Sequence, residues 1–154
     1  MSASPRAFLE GLFRTAVAAA HPQSCLPAHL PAPPSGRLLI LAAGKAAGSM
    51  TEVAEAFYSG VAARQIAGIA VARQGYGRPT KIIPVIEAGH PIPDAAGVAA
   101  AEQALKLADG AGPDDLVLVL LSGGASANCV PCPEQNVLGS REMLRTSSYR
   151  TIAQ

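Results

Sequence analysis

Lys45 is the residue in this sequence that is best placed to bind an anion. It stands with Gly44 after the apolar run Leu38–Leu41, a pattern that predicts a buried strand, a tight turn and then a helix. At the start of that helix the ammonium group would act together with exposed backbone N–H groups, and both favour a phosphate or a carboxylate. The turn is not a Walker A loop, because Leu39 and Ala46 stand where that motif requires Gly and Ser or Thr. Spacing alone is equally consistent with a surface lysine beside a packing glycine.

A second turn, SGGAS, follows the strongly apolar run Leu116–Leu121. Successive glycines at the end of a strand can expose several backbone N–H groups as an anion-binding nest, and the flanking serines add hydroxyl donors. The alternative is a flexible loop in which a serine caps the next helix. We favour the phosphate nest, formed by Ser122, Gly123, Gly124 and Ser126.

Glu87 and His90 are further candidates for a chemical role. They lie in the segment EAGHPIPD, which runs from Glu87 to Asp94 and whose two prolines restrict the backbone. Their side chains could transfer protons or bind a hydroxyl group. On chemistry alone, a rigid loop in which both side chains satisfy local backbone groups is the favoured interpretation.

The elements that must position these residues alternate between apolar strands and amphipathic helices. We predict strands at residues 38–41, 68–72, 82–86 and 116–121. We predict helices at residues 5–20, after Lys45 as far as Gly60, and from a cap at Asp94 to Gly110. The apolar residues expected on the inner faces of the last two helices are Met50, Val53, Ala54 and Phe57, and Val98, Ala101, Leu105 and Ala108.

This alternation indicates an α/β fold built from βαβ units, in the form of a Rossmann-like, three-layer domain with a parallel sheet. Both candidate turns then follow the carboxyl ends of parallel strands. In open α/β sheets that edge is where ligands bind.

Bulk composition excludes several classes of protein. The chain has 154 residues, of which 49% are apolar and 15% charged, as expected for one globular domain. The net charge is +1 without a stripe of Lys and Arg, so no nucleic-acid partner is predicted. No apolar stretch is long enough to span a membrane, and Glu10 and Arg14 interrupt any signal-peptide core, so we expect a cytoplasmic protein without a membrane partner. We predict no metal site, because no Cys or His follows the CxxC pair Cys129 and Cys132 to complete a zinc site.

Three segments, LAAGKAAGSM, EAGHPIPDAAG and DDLVLVLLSGGASA, occur in this order and together resemble the glycerate 2-kinase family. Members of that family join a DUF4147-type N-terminal domain to a MOFRL-type C-terminal domain, and many are labelled hydroxypyruvate reductase. The resemblance covers roughly residues 5–128. It assigns residues 1–128 to the N-terminal part of a glycerate kinase-like domain.

The resemblance implies ATP-dependent phosphorylation of D-glycerate to 2-phosphoglycerate, with Mg²⁺, in a cleft between two α/β domains. It implies that Lys45 is catalytic and neutralises charge on glycerate or on the transferring phosphoryl group. It places Gly44 and the Ser122–Ser126 turn at the substrate- or phosphate-binding side. Glu87 and His90 belong to a signature loop without assigned roles, and the oligomeric state is left open.

The chain departs from the family pattern in two respects. Family members are more than twice as long, and the residues after Asn128 stop resembling them. We therefore interpret residues 129–154 as an atypical tail of frameshift or similar origin. We expect a truncated fragment that lacks the MOFRL domain and is inactive alone.

Two alternative functions remain. One is an NAD(P)H-dependent hydroxypyruvate reductase, which the lack of a G-x-G-x-x-G motif after a strand disfavours. The other is a non-catalytic remnant that is unstable or binds only anions, and whose incomplete burial predicts exposed apolar surface and association or aggregation.

Overall fold

The computed structural model describes residues 4–123, Cys129 and the backbone of residues 150–153. The described helices are α1 (Pro5–Ala20), α2 (Pro22–Cys25), α3 (Ala47–Phe57) and α4 (Ala95–Asp109), with short 3₁₀ turns at Pro27–His29 and Ala63–Gln65. The described strands are β1 (Leu38–Gly44), β2 (Ile66–Arg73), β3 (Val85–Ala88), β4 (Leu116–Ser122) and β5 (Arg150–Ala153). None of the described helices has the length and hydropathy needed to cross a membrane.

The described strands form one parallel sheet in the order β3-β2-β1-β4-β5. The central strand β1 pairs with both β2 and β4, so that Leu38 lies opposite Ile66 on one side and Leu116 on the other. At the other end of the same strand, Gly44 lies opposite Ser122. Because the strands are parallel, their carboxyl ends meet at one edge of the sheet. The predicted parallel-sheet α/β fold is confirmed.

The helices α3 and α4 cover opposite faces of this sheet. On β2, Ile66 and Ala70 pack in a core cluster with α3, whereas Ile69 and Val71 pack in a second cluster with α4. Alternate residues of a strand point to opposite faces of a sheet. The described part of the chain is therefore a helix–sheet–helix arrangement.

The third strand begins later than the predicted residues 82–86, because a buried carboxylate accepts the backbone N–H groups at the start of that segment. Glu55 is only 7% exposed, and its two oxygens accept the backbone N–H groups of Lys81 at 2.7 Å, Ile82 at 2.9 Å and Ile83 at 2.8 Å. These N–H groups are therefore not available to a neighbouring strand, and β3 starts at Val85. The same bonds fix the β2–β3 connection against α3.

The inner face of α3 also differs from the prediction. Met50 and Ala54 are buried as expected, but Phe57 is 44% exposed. The helix ends at Phe57 rather than at Gly60, and the next residue, Tyr58, enters the core instead. The Tyr58 hydroxyl donates to the Pro31 carbonyl at 2.8 Å, and burial raises the pKa of Tyr58 to about 12.

The inner face of α4 is built mainly from small residues. Ala101 and Ala108 are buried as predicted, whereas Val98 and Leu105 are only partly buried. Gly97 and Ala100 complete the buried set. Small residues on this face allow the helix to approach the sheet closely.

The first helix, α1, forms as predicted but buries none of its residues. The Ser4 hydroxyl caps it by accepting the Ala7 N–H at 3.2 Å. Its large apolar side chains are 50–70% exposed: Phe8, Leu9, Leu12, Phe13 and Val17. The periodicity therefore predicted the helix, but no element within the described residues covers its apolar side. Exposed apolar surface of this kind favours association.

The opposite, amino-terminal edge of the sheet is held by an ion pair between the residues that precede β1 and β4. Asp115 accepts from the Arg37 N–H at 2.6 Å and from its guanidinium Nη2 at 2.7 Å, and also from the Gly112 N–H at 2.9 Å. The hydrogen bonds from the Arg37 side chain are the main cause that lowers the pKa of Asp115 to about 2. These contacts fix where β1 and β4 begin relative to each other.

We predict that the Glu55→Gln substitution lowers the free energy of unfolding by about 1–3 kcal/mol, because one carboxylate oxygen becomes an NH₂ donor facing other donors. Urea unfolding of both proteins measures the change. The matched control is Glu52→Gln, one turn earlier on α3. It breaks the half-exposed pair with Arg78 at 3.2 Å, and we expect a loss below about 1 kcal/mol. Equal effects of the two substitutions would contradict this account of the β2–β3 connection.

Candidate anion-binding site

The Lys45 turn lies between the end of β1 and the start of α3. Gly44 ends the strand with a φ of +110°, a left-handed conformation that side chains rarely adopt. Lys45 and Ala46 then form the turn, and α3 begins at Ala47. Lys45 is exposed, and its ammonium group makes no ion pair with any other described residue. The lysine thus lies just before the helix, close to its predicted position at the helix start.

The N-terminus of α3 has no side chain that caps it among the described residues. Its N-cap residue is Ala46, which has no capping side chain, and the first turn contains no acidic residue. The first N–H groups of a helix have no intrahelical acceptors and carry partial positive charge. The Ser49 hydroxyl donates to the Ala46 carbonyl at 3.0 Å and does not cap the helix. The helix end and Lys45 together form an electropositive corner.

Ser122 brings the second predicted turn into contact with the first. Its hydroxyl oxygen accepts the Ala46 N–H at 2.8 Å. On the other side of Lys45, a Cβ added to Gly44 would collide with the Ser122 carbonyl and would lie 2.6 Å from its Oγ. The two turns, which the sequence placed at the same edge of the sheet, are therefore in contact at this residue.

The rest of the SGGAS turn is only partly described. Gly123 is exposed and has a φ of +62°, and a Cβ added there would meet no atom of another described residue within 4 Å. Its backbone is therefore open to solvent beside the Lys45 turn. Gly124 and Ser126 lie outside the described residues, so their role in a phosphate nest stays a prediction.

Glu87 and His90 lie at the same edge of the sheet but farther from Lys45. Glu87 lies in β3 and His90 follows two residues after its end. This strand is separated from β1 by β2, a distance of roughly 10 Å at two strand spacings. Glu87 is occupied locally, since its Oε1 accepts the Gly77 N–H at 2.8 Å. His90 is partly buried, and its side chain makes no hydrogen bond to another described residue.

Asp94, at the end of this loop, has a structural role. Its Oδ1 accepts the Gly97 N–H at 2.9 Å and caps α4 as predicted. Hydrogen bonds from the Gly97 and Gly89 backbones lower the pKa of Asp94. The geometry of Glu87 and Asp94 matches the rigid-loop interpretation of this segment.

Two arginines near this edge were not singled out from the sequence. Arg73 ends β2, and its guanidinium carbon lies 4.9 Å from the centre of the Tyr76 ring. Arg78 packs on the first turn of α3, so closely that a Cβ added to Gly48 would lie 3.1 Å from the Arg78 Cβ. The Arg78 guanidinium forms an ion pair with Glu52. Arg73 ends an apolar strand and Arg78 lies in the connection that follows it, and no local pattern points to either.

The described residues do not form a metal centre. No group of three or more His, Cys, Asp or Glu side chains within them could hold a metal ion. The Mg²⁺ that the family resemblance implies stays a prediction, because Mg²⁺ at phosphate sites is commonly held by one or two carboxylates together with the substrate phosphates. Cys129 packs against the core cluster beside α4, where burial raises the pKa of its thiol. Cys132 lies outside the described residues.

The fold and this edge define a parallel-sheet α/β protein whose candidate site combines a lysine, a glycine turn and an uncapped helix end. The sequence model of the DUF4147 family, described as a domain of unknown function, matches residues 8–147. The chain belongs to this family. The match extends beyond Asn128, and the assignment of residues 129–154 as an atypical tail stays a prediction.

Similar proteins carry two different names. A "Putative hydroxypyruvate reductase" of Agrobacterium vitis is 40% identical over 124 residues, which are 80% of this chain and 28% of that protein. A "Glycerate 2-kinase" of Pyrococcus horikoshii is 39% identical over 102 residues, which are 66% of this chain and 22% of that protein. The crystal structure of a glycerate kinase from Thermotoga maritima aligns with a TM-score of 0.62 at 30% identity, over 75% of this chain and 28% of that one. The chain thus spans less than a third of the length of these relatives.

We predict that the Gly44→Ala substitution costs at least about 2 kcal/mol of stability, because left-handed backbone strain of roughly 1–2 kcal/mol adds to the clash with Ser122. Gly75→Ala is the matched control, since Gly75 has a φ of +78° but open space around it. Urea unfolding of both variants separates strain from clash. If Gly44→Ala costs no more than Gly75→Ala, the close approach to Ser122 is not a rigid feature of the fold.

Proposed function

We propose that this chain is part of a glycerate 2-kinase, in which the Lys45 turn binds phosphate groups during ATP-dependent phosphorylation of D-glycerate. One observation carries the proposal: Lys45 stands unpaired, among the described residues, directly before the uncapped N-terminus of α3. Membership of the DUF4147 family and relatives named glycerate 2-kinase support it. We also propose that the protein acts on small molecules in the cytoplasm.

The proposed reaction explains why a lysine belongs in this turn. The 2-hydroxyl oxygen of D-glycerate forms a bond to the γ-phosphorus as the bond to the β–γ bridging oxygen of ATP breaks, and the hydroxyl proton is released to solvent, which gives 2-phosphoglycerate and ADP. Negative charge on the phosphoryl oxygens must be stabilised throughout. The Lys45 ammonium and the first N–H groups of α3 supply positive charge on one side. The open backbone of Gly123 borders the same corner.

The described residues around Lys45 provide positive charge on one side of such a site. Phosphoryl transfer depends on charges that close around the transferring group from several directions, and this chain spans only 22–28% of its curated relatives. We therefore propose that residues 1–154 bind nucleotide but have very low kinase activity by themselves.

We predict that Lys45→Met weakens the binding of ATP to the full chain by about tenfold or more, because a charge-assisted hydrogen bond contributes roughly 1.5–3 kcal/mol. Isothermal titration calorimetry measures the affinity. Lys106→Met is the matched control, since Lys106 is an exposed lysine in the last turn of α4, away from the candidate site, and we expect no change. Equal losses of affinity in the two variants would show that ATP binding depends on the net charge of the chain and not on this turn.

Two activity assays test the reaction itself. ADP formation by residues 1–154 alone that requires both D-glycerate and Lys45 would contradict the low activity proposed for the isolated chain. Oxidation of NADH on addition of hydroxypyruvate would favour a reductase. We expect neither.

A further inference from the structure

Ser122 contacts the backbone on both sides of Lys45, and this arrangement suggests a role other than ligand binding. The residue before the lysine, Gly44, is paired with Ser122 in the sheet and approaches it so closely that no Cβ fits between them. The residue after the lysine, Ala46, donates its N–H to the Ser122 hydroxyl at 2.8 Å. Ser122 therefore contacts the residues on both sides of Lys45. Its hydroxyl accepts from Ala46, and its carbonyl and hydroxyl oxygens lie against Gly44.

These contacts constrain a turn that has little else to hold it. Ala46 has no side chain that could cap α3, and Lys45 is exposed without an ion pair in the described part of the chain. A left-handed glycine at the start of the turn adds conformational freedom when nothing restrains it. The Ser122 hydroxyl is thus the polar side-chain contact that ties the turn to the neighbouring strand.

We propose that Ser122 is a positioning residue that holds Lys45 at the start of α3, and that its effect on phosphate binding passes through Lys45. The effect on binding rests on the proposed function, whereas the effect on the turn does not. The Ala46 N–H occupies one lone pair of the Ser122 oxygen, and it is through this bond that we assign Ser122 its effect on the geometry of the turn; the O–H proton stays available as a donor. The sequence-based interpretation of Ser122 as a phosphate ligand stays a prediction, and the experiment below separates it from the positioning role.

A double-mutant cycle on the full chain tests this proposal, with inorganic phosphate as the probe and NMR titration as the measurement. Ser122→Ala should weaken phosphate binding by about three- to tenfold, the range expected for one lost hydrogen bond. In a Lys45→Met background the same substitution should have no further effect, because the group it positions is gone. Ser122→Thr keeps the hydroxyl on a strand-compatible side chain and should restore most of the affinity.

Local NMR signals give a readout that does not depend on binding. Ser122→Ala should speed hydrogen exchange of the Ala46 amide and shift the Lys45 amide signal, and Ser122→Thr should reverse both. Thr15→Ala is the control, since it removes a hydroxyl that bonds the Gly11 carbonyl on α1, and it should change neither signal.

The outcomes are distinguishable. An equal loss of affinity in both Lys45 backgrounds would make Ser122 a direct ligand and overturn the positioning role, as would unchanged affinity in Ser122→Ala. If the unmodified chain binds no phosphate or ATP, the proposed function fails. The positioning role is then decided by the Ala46 and Lys45 signals: changes that Ser122→Thr reverses support it, and unchanged signals overturn it.

Discussion

The close approach of β1 to β4 at Gly44 and Ser122 is the constraint on which the candidate site depends. A Cβ at Gly44 would collide with the Ser122 carbonyl, so the chain can turn here only because this residue is glycine. The turn then places the Ala46 N–H within 2.8 Å of the Ser122 hydroxyl and starts α3 immediately afterwards. An exposed lysine and a helix N-terminus are thereby fixed side by side.

The rest of the described structure holds these two strands and this helix in place. The pair of Arg37 and Asp115 fixes the starts of β1 and β4 at the opposite edge. The buried carboxylate of Glu55 fixes α3 to the β2–β3 connection through three backbone N–H groups. The register of the two strands and the position of the helix are therefore set by polar contacts. The apolar core supplies the packing between them.

Local patterns predicted the parts of the fold that depend on neighbouring residues. The run before Gly44, the cap at Asp94 and the Leu116–Leu121 strand all lie where the sequence indicates, because apolar runs, glycines and capping side chains act over a few residues. The family resemblance placed the turns at Lys45 and Ser122 on the same binding side. Neither the resemblance nor the spacing predicted the hydrogen bond from the Ala46 N–H to the Ser122 hydroxyl.

The features that were missed are contacts between distant residues. Glu55 binds backbone 26–28 residues away, and Ala46 bonds a serine 76 residues away. One signal for Glu55 was present in the sequence: it follows Thr51 by four residues on the buried side of α3, where a carboxylate requires partners. No comparable pattern in the sequence predicted the ion pair between Arg37 and Asp115, or the exposure of the apolar side chains of α1.

The central claim is that the turns at Lys45 and Ser122 form one anion site at the carboxyl edge of β1 and β4. The most direct measurement is a ¹⁵N–¹H chemical-shift map of the full chain titrated with inorganic phosphate. The account predicts the largest shifts at the amides of residues 45–49 and 122–123, and little change at Arg37 and Asp115 on the opposite edge. Shifts concentrated at the opposite edge, or spread evenly over exposed basic residues, would contradict it.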